Sequence, residues 1–362
     1  MPPMVKLKNI TQKVVSSINF LSGSSRRQWY RYAQHRPLTA VLCYHNVTCE
    51  LGRNDSFDFE EGITAKDFEA QLKFMLRYFR PVRPSQVHLE DDNPLPRFAV
   101  TFDDGLENNF SVAAPILKKL EIPAAFYVVS DYVGTDKVFW WERLAYILRS
   151  THKPSLLTKP FIPDSWKHTD VPDEFQLNNF HTREKTHTEL CLLLKQGHHR
   201  EIDPIIEIIE EILEIEGPTT GREFPLMDWN QLKELSRQGF EIGGHSASHM
   251  NLGKADAGDL EREIANSIKE IESHLKQKVL TFAYPYGRSN NRTNHAEEVV
   301  GSSGCLSAFT FERQLVVGNQ NKFALPRISF KKGWSCACAF HIHNAFLATK
   351  SCQESIKGSQ IQ

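Results

Sequence analysis

Phe98-Ala99-Val100-Thr101-Phe102-Asp103-Asp104-Gly105 reads as a strand that stops at a pair of charges. The apolar run has the length and β-propensity of a buried strand, and it ends in adjacent carboxylates and a glycine. Adjacent acids repel each other, so a strand ending in Asp-Asp calls for a partner, and a bound cation is a good one. Asp and Gly are also turn residues, and the triplet alone is more often a turn than a ligand set. Far downstream, His245-Ser246-Ala247-Ser248-His249 sets two imidazoles four residues apart behind Gly243-Gly244. Such a pair alone is as readily a surface pair as a metal pair. Taken together, an Asp and two His leave positions open for water and substrate, which is the donor set of a catalytic zinc-type site.

Outward from that strand, the chain alternates strand and helix. Residues 38–44 read as a first buried strand ending at His45-Asn46-Val47, and residues 65–80 as a helix with Phe68, Leu72, Met75, Leu76 and Phe79 on one face. Residues 113–120 are helical, and residues 122–129 form the next strand. This order implies a parallel sheet and, repeated, a barrel. A long excursion opens at Phe139-Trp140-Trp141 and runs to about Pro225. Its clearest helix, residues 201–216, carries Ile202, Ile205, Ile206, Ile209, Ile212 and Leu213 at core spacing. Trp140 and Trp141 suit packing, or stacking on a flat ligand face. Residues 227–237 form a helix stopped by Gly239, residues 240–244 are the strand delivering the histidine pair, and residues 259–276 form a long helix. Residues 279–284 make a strand leading into Pro285-Tyr286-Gly287. The end from Ser351 is expected to be disordered.

Composition excludes several classes. The chain has 362 residues, 40% hydrophobic and 24% charged, enough to bury a full core. A net charge of −1 gives no field suited to nucleic acid. The seven cysteines form no regular framework, and Cys336-x-Cys338 is too tightly spaced for a zinc ribbon, so reduced thiols and a cytoplasmic location are expected. Residues 1–49 lack Asp and Glu altogether. Residues 1–37 therefore read as a basic segment in which Val14, Ile18 and Leu21 form one stripe of an amphipathic helix, with Gly23 interrupting it. That segment suits a solvated arm, a packed helix, a transit peptide, or peripheral contact of residues 1–36 with an anionic membrane surface. No apolar run approaches the about 18 residues of a spanning helix.

Thr101-Phe102-Asp103-Asp104-Gly105, His245-Ser246-Ala247-Ser248-His249 and Phe282-Ala283-Tyr284-Pro285-Tyr286-Gly287 resemble, in order and spacing, the polysaccharide deacetylases of the NodB-homology group, carbohydrate esterase family 4. The resemblance covers about Leu38 to about Phe330, and residues 322–330 resemble a late strand of the family. It implies an α/β fold, a distorted TIM-like (β/α) barrel of about seven strands with the motifs at the C-terminal strand ends. The catalytic domain would span residues 38–335 with a helical insertion at about 139–225, followed by a tail at 336–362. The resemblance further implies Asp104, His245 and His249 as ligands of a divalent metal, Zn2+ first among them. It makes Asp103 the general base, and it assigns the backbone N–H of Tyr286 to oxyanion stabilisation. Tyr44-His45 matches the N-terminal Tyr-His of the poly-N-acetylglucosamine deacetylases, which makes His45 the proton donor to the leaving amine. His341 and His343 are the fallback candidates. Many members carry an arginine where this chain has Ala283, and Arg327 is the candidate to supply that guanidinium from another strand. Met250 departs from the family's usual proline. The implied activity is N-deacetylation of an N-acetylated glycan. The alternatives are the same site acting on formyl or O-acyl groups of related sugars, or a catalytically silent carbohydrate-binding protein of this fold.

Overall fold

The apolar run before Asp103 forms a strand, Arg97–Phe102, in which every residue is buried. Alternate side chains of such a strand point to opposite faces, so burial throughout means that both faces are covered. A computed structural model of the chain describes residues 22–49, 62–90, 92–163, 171–197, 199–215, 225–318, 320–330 and 335–359. The stripe of Val14, Ile18 and Leu21 expected in the N-terminal segment lies outside the described residues. Gly23 (φ 77°) caps a helix, Ser24–Ala33, whose Trp29 is buried.

In chain order the strands are β1 (Leu38–Tyr44), β2 (Val47–Thr48), β3 (Ile63–Thr64), β4 (Arg80–Pro81), β5 (Arg97–Phe102), β6 (Ala124–Val128), β7 (Ser155–Leu157), β8 (Glu174–Gln176), β9 (Glu241–Gly244), β10 (Thr281–Ala283), β11 (Ser307–Phe309) and β12 (Val316–Val317). Two compact units divide the described residues, and the larger holds the main sheet. Its strand order is β11-β10-β9-β6-β5-β1-β12, with β4 against β5. β1 and β5 pair in parallel from Thr39↔Arg97 to Tyr44↔Phe102, and only β12 runs antiparallel to its neighbour, β1.

The sheet curls into the expected distorted barrel, and one short segment joins its two ends. Thr310 N–H donates to Leu325 O at 2.8 Å beside β11, while Ile328 N–H donates to Val41 O at 2.8 Å and Cys43 N–H to Ile328 O at 2.9 Å beside β1. Inside the curl lie Val41, Ala99, Ala125, Tyr127, Ala283, Phe309 and Leu325. The alternate residues, among them Leu42, Val100, Phe102, Phe126 and Phe282, pack outward under the helices. Parity along each strand therefore decides which side chains can reach the barrel interior.

The helix Ala65–Tyr78 starts at Thr64, whose hydroxyl accepts Asp67 N–H at 3.0 Å, and it buries Phe68, Leu72 and Met75. Leu76, expected on the same face, sits at its edge and is 37% exposed. Gln71 is buried there instead, because its side-chain oxygen accepts the Tyr44 hydroxyl at 3.1 Å. The C-terminal end corrects the sequence reading. In place of a tail beginning at 336 and disordered from Ser351, one helix runs Ser335–Ser359. Its Cys338, Ala339, Ile342, Ala345 and Phe346 join the main core. Those positions follow helical periodicity, but their small and sulfur-containing residues give a faint hydrophobic signal. Among the described residues no helix is long and apolar enough to cross a membrane.

The second compact unit, Thr135–Pro225, contains the helices Trp140–Ser150, Phe180–Leu194 and His199–Leu213, with β7 and β8 as an antiparallel pair. Ile202, Ile205, Ile206, Ile209 and Leu213 are buried, while Ile212 is only half-buried. Trp140 and Trp141 are buried as well. Trp141 stacks on Phe139 with ring centroids 4.5 Å apart, so packing explains these rings. His187 Nε2–H donates to Trp141 O at 2.9 Å, and burial brings its pKa down to about 4. The unfolded chain takes up this proton near pH 6.5 and the folded chain only near 4, so stability falls as pH drops through that window. The full loss is about 3 kcal/mol. Urea-unfolding midpoints at pH 7 and pH 4.5 should differ more for the wild type than for His187→Gln; equal differences would remove His187 as the cause.

Candidate active site

β5 delivers two carboxylates to the open end of the barrel, and the backbone sends them in different directions. Asp103 N–H still donates to Tyr44 O at 3.0 Å, as a continuation of the β1–β5 ladder. Asp104 and Gly105 then turn left-handed, with φ of 71° and 76°. A Cβ on Gly105 would lie 3.1 Å from Val128 Cγ1 in a conformation that only glycine adopts freely. The turn separates the neighbouring acids, sending Asp103 toward Arg327 and Asp104 toward His245 and His249.

Asp103 meets a guanidinium. Arg327 Nη1 donates to Oδ1 and Nη2 to Oδ2, each at 2.7 Å, a planar two-point pair. Arg327 lies on the barrel-closing segment and is 1% exposed. Its Nε donates to Thr310 O at 3.0 Å and its Nη1 also to Thr101 Oγ1 at 3.2 Å. This is the residue singled out by the missing arginine at Ala283, and the fold brings it to Asp103. Burial raises the Asp103 carboxyl, but Arg327 and the nearby imidazoles outweigh it and hold the pKa at about 2. Burial likewise works against the Arg327 charge, and Asp103 more than restores it.

Asp104 meets the two imidazoles. Its Oδ1 lies 3.4 Å from His245 Nε2 and 3.3 Å from His249 Nε2. His245 follows β9, where its N–H donates to Val128 O at 2.9 Å, and its Nδ1–H donates to Ala283 O at 2.7 Å. That bond fixes the tautomer, so the lone pair of neutral His245 Nε2 faces the carboxylate. Asp104 Oδ1 is buried and completes no hydrogen bond among the described residues. Burial pushes the Asp104 carboxyl up, and the imidazoles overcome it and hold it well below the usual range. For His245 burial lowers the pKa, and Asp103 and Asp104 reverse that. The three donor atoms lie within 4.8 Å of one another. An electron-rich N2O set around an unsatisfied buried oxygen fits a divalent cation. Separations of 3.3 and 3.4 Å match the edge of a tetrahedron with bonds of about 2.0–2.1 Å.

His45 Nε2 lies 4.0 Å from Asp103 Oδ2, with its side chain 34% exposed. Of the fallback histidines, His341 sits on the final helix among the Phe330 and Phe340 rings, and His343 is buried on the same helix. Tyr286 has φ 61° and turns its ring edge-on to His249, with centroids 4.8 Å apart. The turn is pressed onto the segment that follows β11, since a Cβ on Gly287 would lie 2.6 Å from Phe311 N. Asp104, Ser246, His249 and Tyr286 thus all adopt left-handed φ, between 60° and 71°. Strained backbone of this kind persists where the surrounding fold over-determines it, and it clusters at functional sites.

Other residues of the site carry no motif signal in the sequence. Cys43 Sγ donates to Asp103 Oδ2 at 3.4 Å. Only strand parity, which sets Cys43 inward with Val41, points to it. Asn109 Nδ2 donates to His45 O at 2.6 Å and so ties the His45 turn to the segment after Gly105.

Comparison with known proteins agrees with this geometry. Residues 90–303 match the sequence profile described as polysaccharide deacetylase. YxkH of Bacillus subtilis (strain 168), assigned to the polysaccharide deacetylases, is 24% identical over 300 residues, covering 82% of this chain and 72% of YxkH. The poly-beta-1,6-N-acetyl-D-glucosamine N-deacetylase of Staphylococcus aureus is 26% identical over 121 residues, 31% of this chain and 41% of the relative. The Streptococcus pyogenes deacetylase PplD, solved with acetate, shares the fold at a TM-score of 0.53 and 16% identity, over 87% of this chain and 98% of PplD. The matched profile takes in both the aspartate strand and the histidine pair, and the chain belongs to the polysaccharide deacetylase family.

Proposed function

We propose that the protein is a metal-dependent hydrolase that removes N-acetyl groups from amino sugars of a polysaccharide, oligosaccharide or lipid-linked glycan. The observation that carries this reading is the division of labour between adjacent carboxylates: Asp103 is paired with Arg327, while Asp104 faces His245 and His249 with an unsatisfied oxygen. Asp104, His245 and His249 would hold the ion, and Zn2+ fits their nitrogen and oxygen donors. When bound, the ion supplies Lewis acidity, polarising the acyl oxygen and lowering the pKa of water from 15.7 to about 7.

The chain's own residues supply the rest. Asp103 is ionised at neutral pH and accepts the proton of the attacking water. Arg327 and Cys43 hold the carboxylate still and restrict which lone pair faces the substrate. The Tyr286 N–H, in its fixed turn, donates to the developing oxyanion without reorganising. His45, partly open to solvent, gives a proton to the departing amine, and Asn109 holds its backbone in place.

Acetate release from N-acetylglucosamine oligomers, with stoichiometric Zn2+, tests the reading. Wild type should release acetate, and His45→Ala should lower kcat by about 10²–10⁴-fold with metal content unchanged. Undiminished release from His45→Ala would move the proton donor to another group.

A further inference from the structure

The loop carrying both imidazoles is gripped from behind by a carboxylate that belongs to no sequence motif. Glu263 is completely buried, and it lies on a π-helical stretch, Glu261–Asn266, between the helices Ala257–Leu260 and Ser267–Leu275. Its Oε2 accepts the Ser248 backbone N–H at 2.8 Å and its Oε1 accepts the Ser248 hydroxyl at 2.9 Å. The Arg262 guanidinium pairs with the same carboxylate and reaches Asp131 Oδ2 at 3.3 Å. On the other side of the loop, Asp131 N–H donates to Ala247 O at 3.0 Å and Ser130 N–H to Ser246 O at 3.2 Å. Ser246, Ala247 and Ser248 are therefore each anchored through a backbone group.

The loop needs such anchors. Ser246 and His249 hold φ of 64° and 60°, a left-handed conformation that is unfavourable for a residue with a Cβ. His249 directly follows Ser248, so fixing both the amide and the hydroxyl of Ser248 fixes the backbone from which the second imidazole hangs. A π-helical turn adds one residue to the helical repeat and re-aims the side chains beyond it, and such turns recur at functional sites. Here the re-aimed residue is a carboxylate turned inward at the loop, a costly burial unless its hydrogen bonds serve the site.

We propose that Glu263 is a positioning residue that sets the metal affinity of the Asp104–His245–His249 centre by clamping Ser248. The proposal rests on the metal-dependent reading of that centre. It acts on the ion's donors through the loop, so metal binding itself reads it, apart from turnover.

The test uses the full chain, stripped of metal and titrated with Zn2+ against a chromophoric chelator, for wild type, Glu263→Gln, Ser248→Ala and the double variant. Glu263→Gln should weaken Zn2+ binding up to about 10-fold, the lower end of the effect of losing a direct partner of a metal ligand, since Glu263 touches Ser248 and neither imidazole. Ser248→Ala should weaken it in the same direction, and the double variant should be no worse than Glu263→Gln. With Co2+ in place of Zn2+, the visible bands of Glu263→Gln should shift from the wild-type positions. Wild-type Zn2+ affinity and Co2+ bands in Glu263→Gln, or strictly additive losses in the double variant, overturn the proposal. Should Glu263→Gln fail to fold, Ser248→Ala decides alone, and wild-type affinity there overturns it. A wild-type chain that binds no Zn2+ overturns the metal-centre reading itself, and this inference with it.

Discussion

Asp103→Asn should lower acetate release by about 10²–10⁴-fold while the protein retains its full complement of Zn2+. The substitution keeps the shape of the side chain and leaves Asp104, His245 and His249 untouched, so elemental analysis should return the wild-type metal content. On the proposed reading, what disappears is the proton acceptor. An amide cannot take up the proton of the attacking water, and its NH2 would face one of the two Arg327 nitrogens that now donate at 2.7 Å. The fold will feel the change too, because a guanidinium 1% exposed loses its counter-charge. Activity must therefore be measured well below the variant's own unfolding temperature. Release within twofold of wild type by a folded, metal-replete Asp103→Asn would exclude Asp103 as the base.

The second large effect belongs to Arg327. Arg327→Met should destabilise the fold by about 3–5 kcal/mol, since it leaves the Asp103 carboxylate buried and unpaired. Removing both partners, in Asp103→Asn with Arg327→Met, should restore stability relative to either single variant, because no uncompensated charge remains. Arg327→Lys separates charge from geometry. Lysine keeps a positive charge but cannot present two parallel N–H groups to one carboxylate, so stability should recover partly and turnover should stay depressed. Urea unfolding checks the first pair of statements and acetate release the last. Full activity in Arg327→Lys would show that a point charge suffices and that the fork plays no part in orienting Asp103.

The parts of the site that were legible in advance share one property: their chemistry is written into consecutive residues. An apolar run broken by Asp103-Asp104-Gly105 announces both a strand and its charged end, and His245 to His249 announces a donor pair. Arg327 was legible only as a vacancy elsewhere, the alanine at position 283, and its reach to Asp103 depends on how the sheet closes. Cys43, Asn109 and Glu263 carry no such mark. A buried polar side chain is chosen by the donors and acceptors that the tertiary fold sets around it, and those lie in other elements. The final helix was misread for a different reason. Its buried stripe is built from Cys338, Ala339, Ile342, Ala345 and Phe346, and small or sulfur-bearing residues signal a core far less clearly than the isoleucines of His199–Leu213. Leu76 shows the converse: apolar periodicity locates a face, while packing decides where that face ends.

The segment that joins the two ends of the sheet also dictates when the site can come into being. Arg327 and Asp103 are 224 residues apart in sequence, so their pairing closes one of the longest loops available to this chain. Contacts of such separation form late and slowly, after more local structure has gathered. During synthesis the aspartate strand leaves the ribosome long before its guanidinium does. Without Arg327, burying an ionised Asp103 is costly, so the pair favours closing the interior only once both partners are present. The Asp103–Arg327 pair is thus also a constraint on folding: the carboxylate gains its buried partner only after the segment that carries Arg327 has been made.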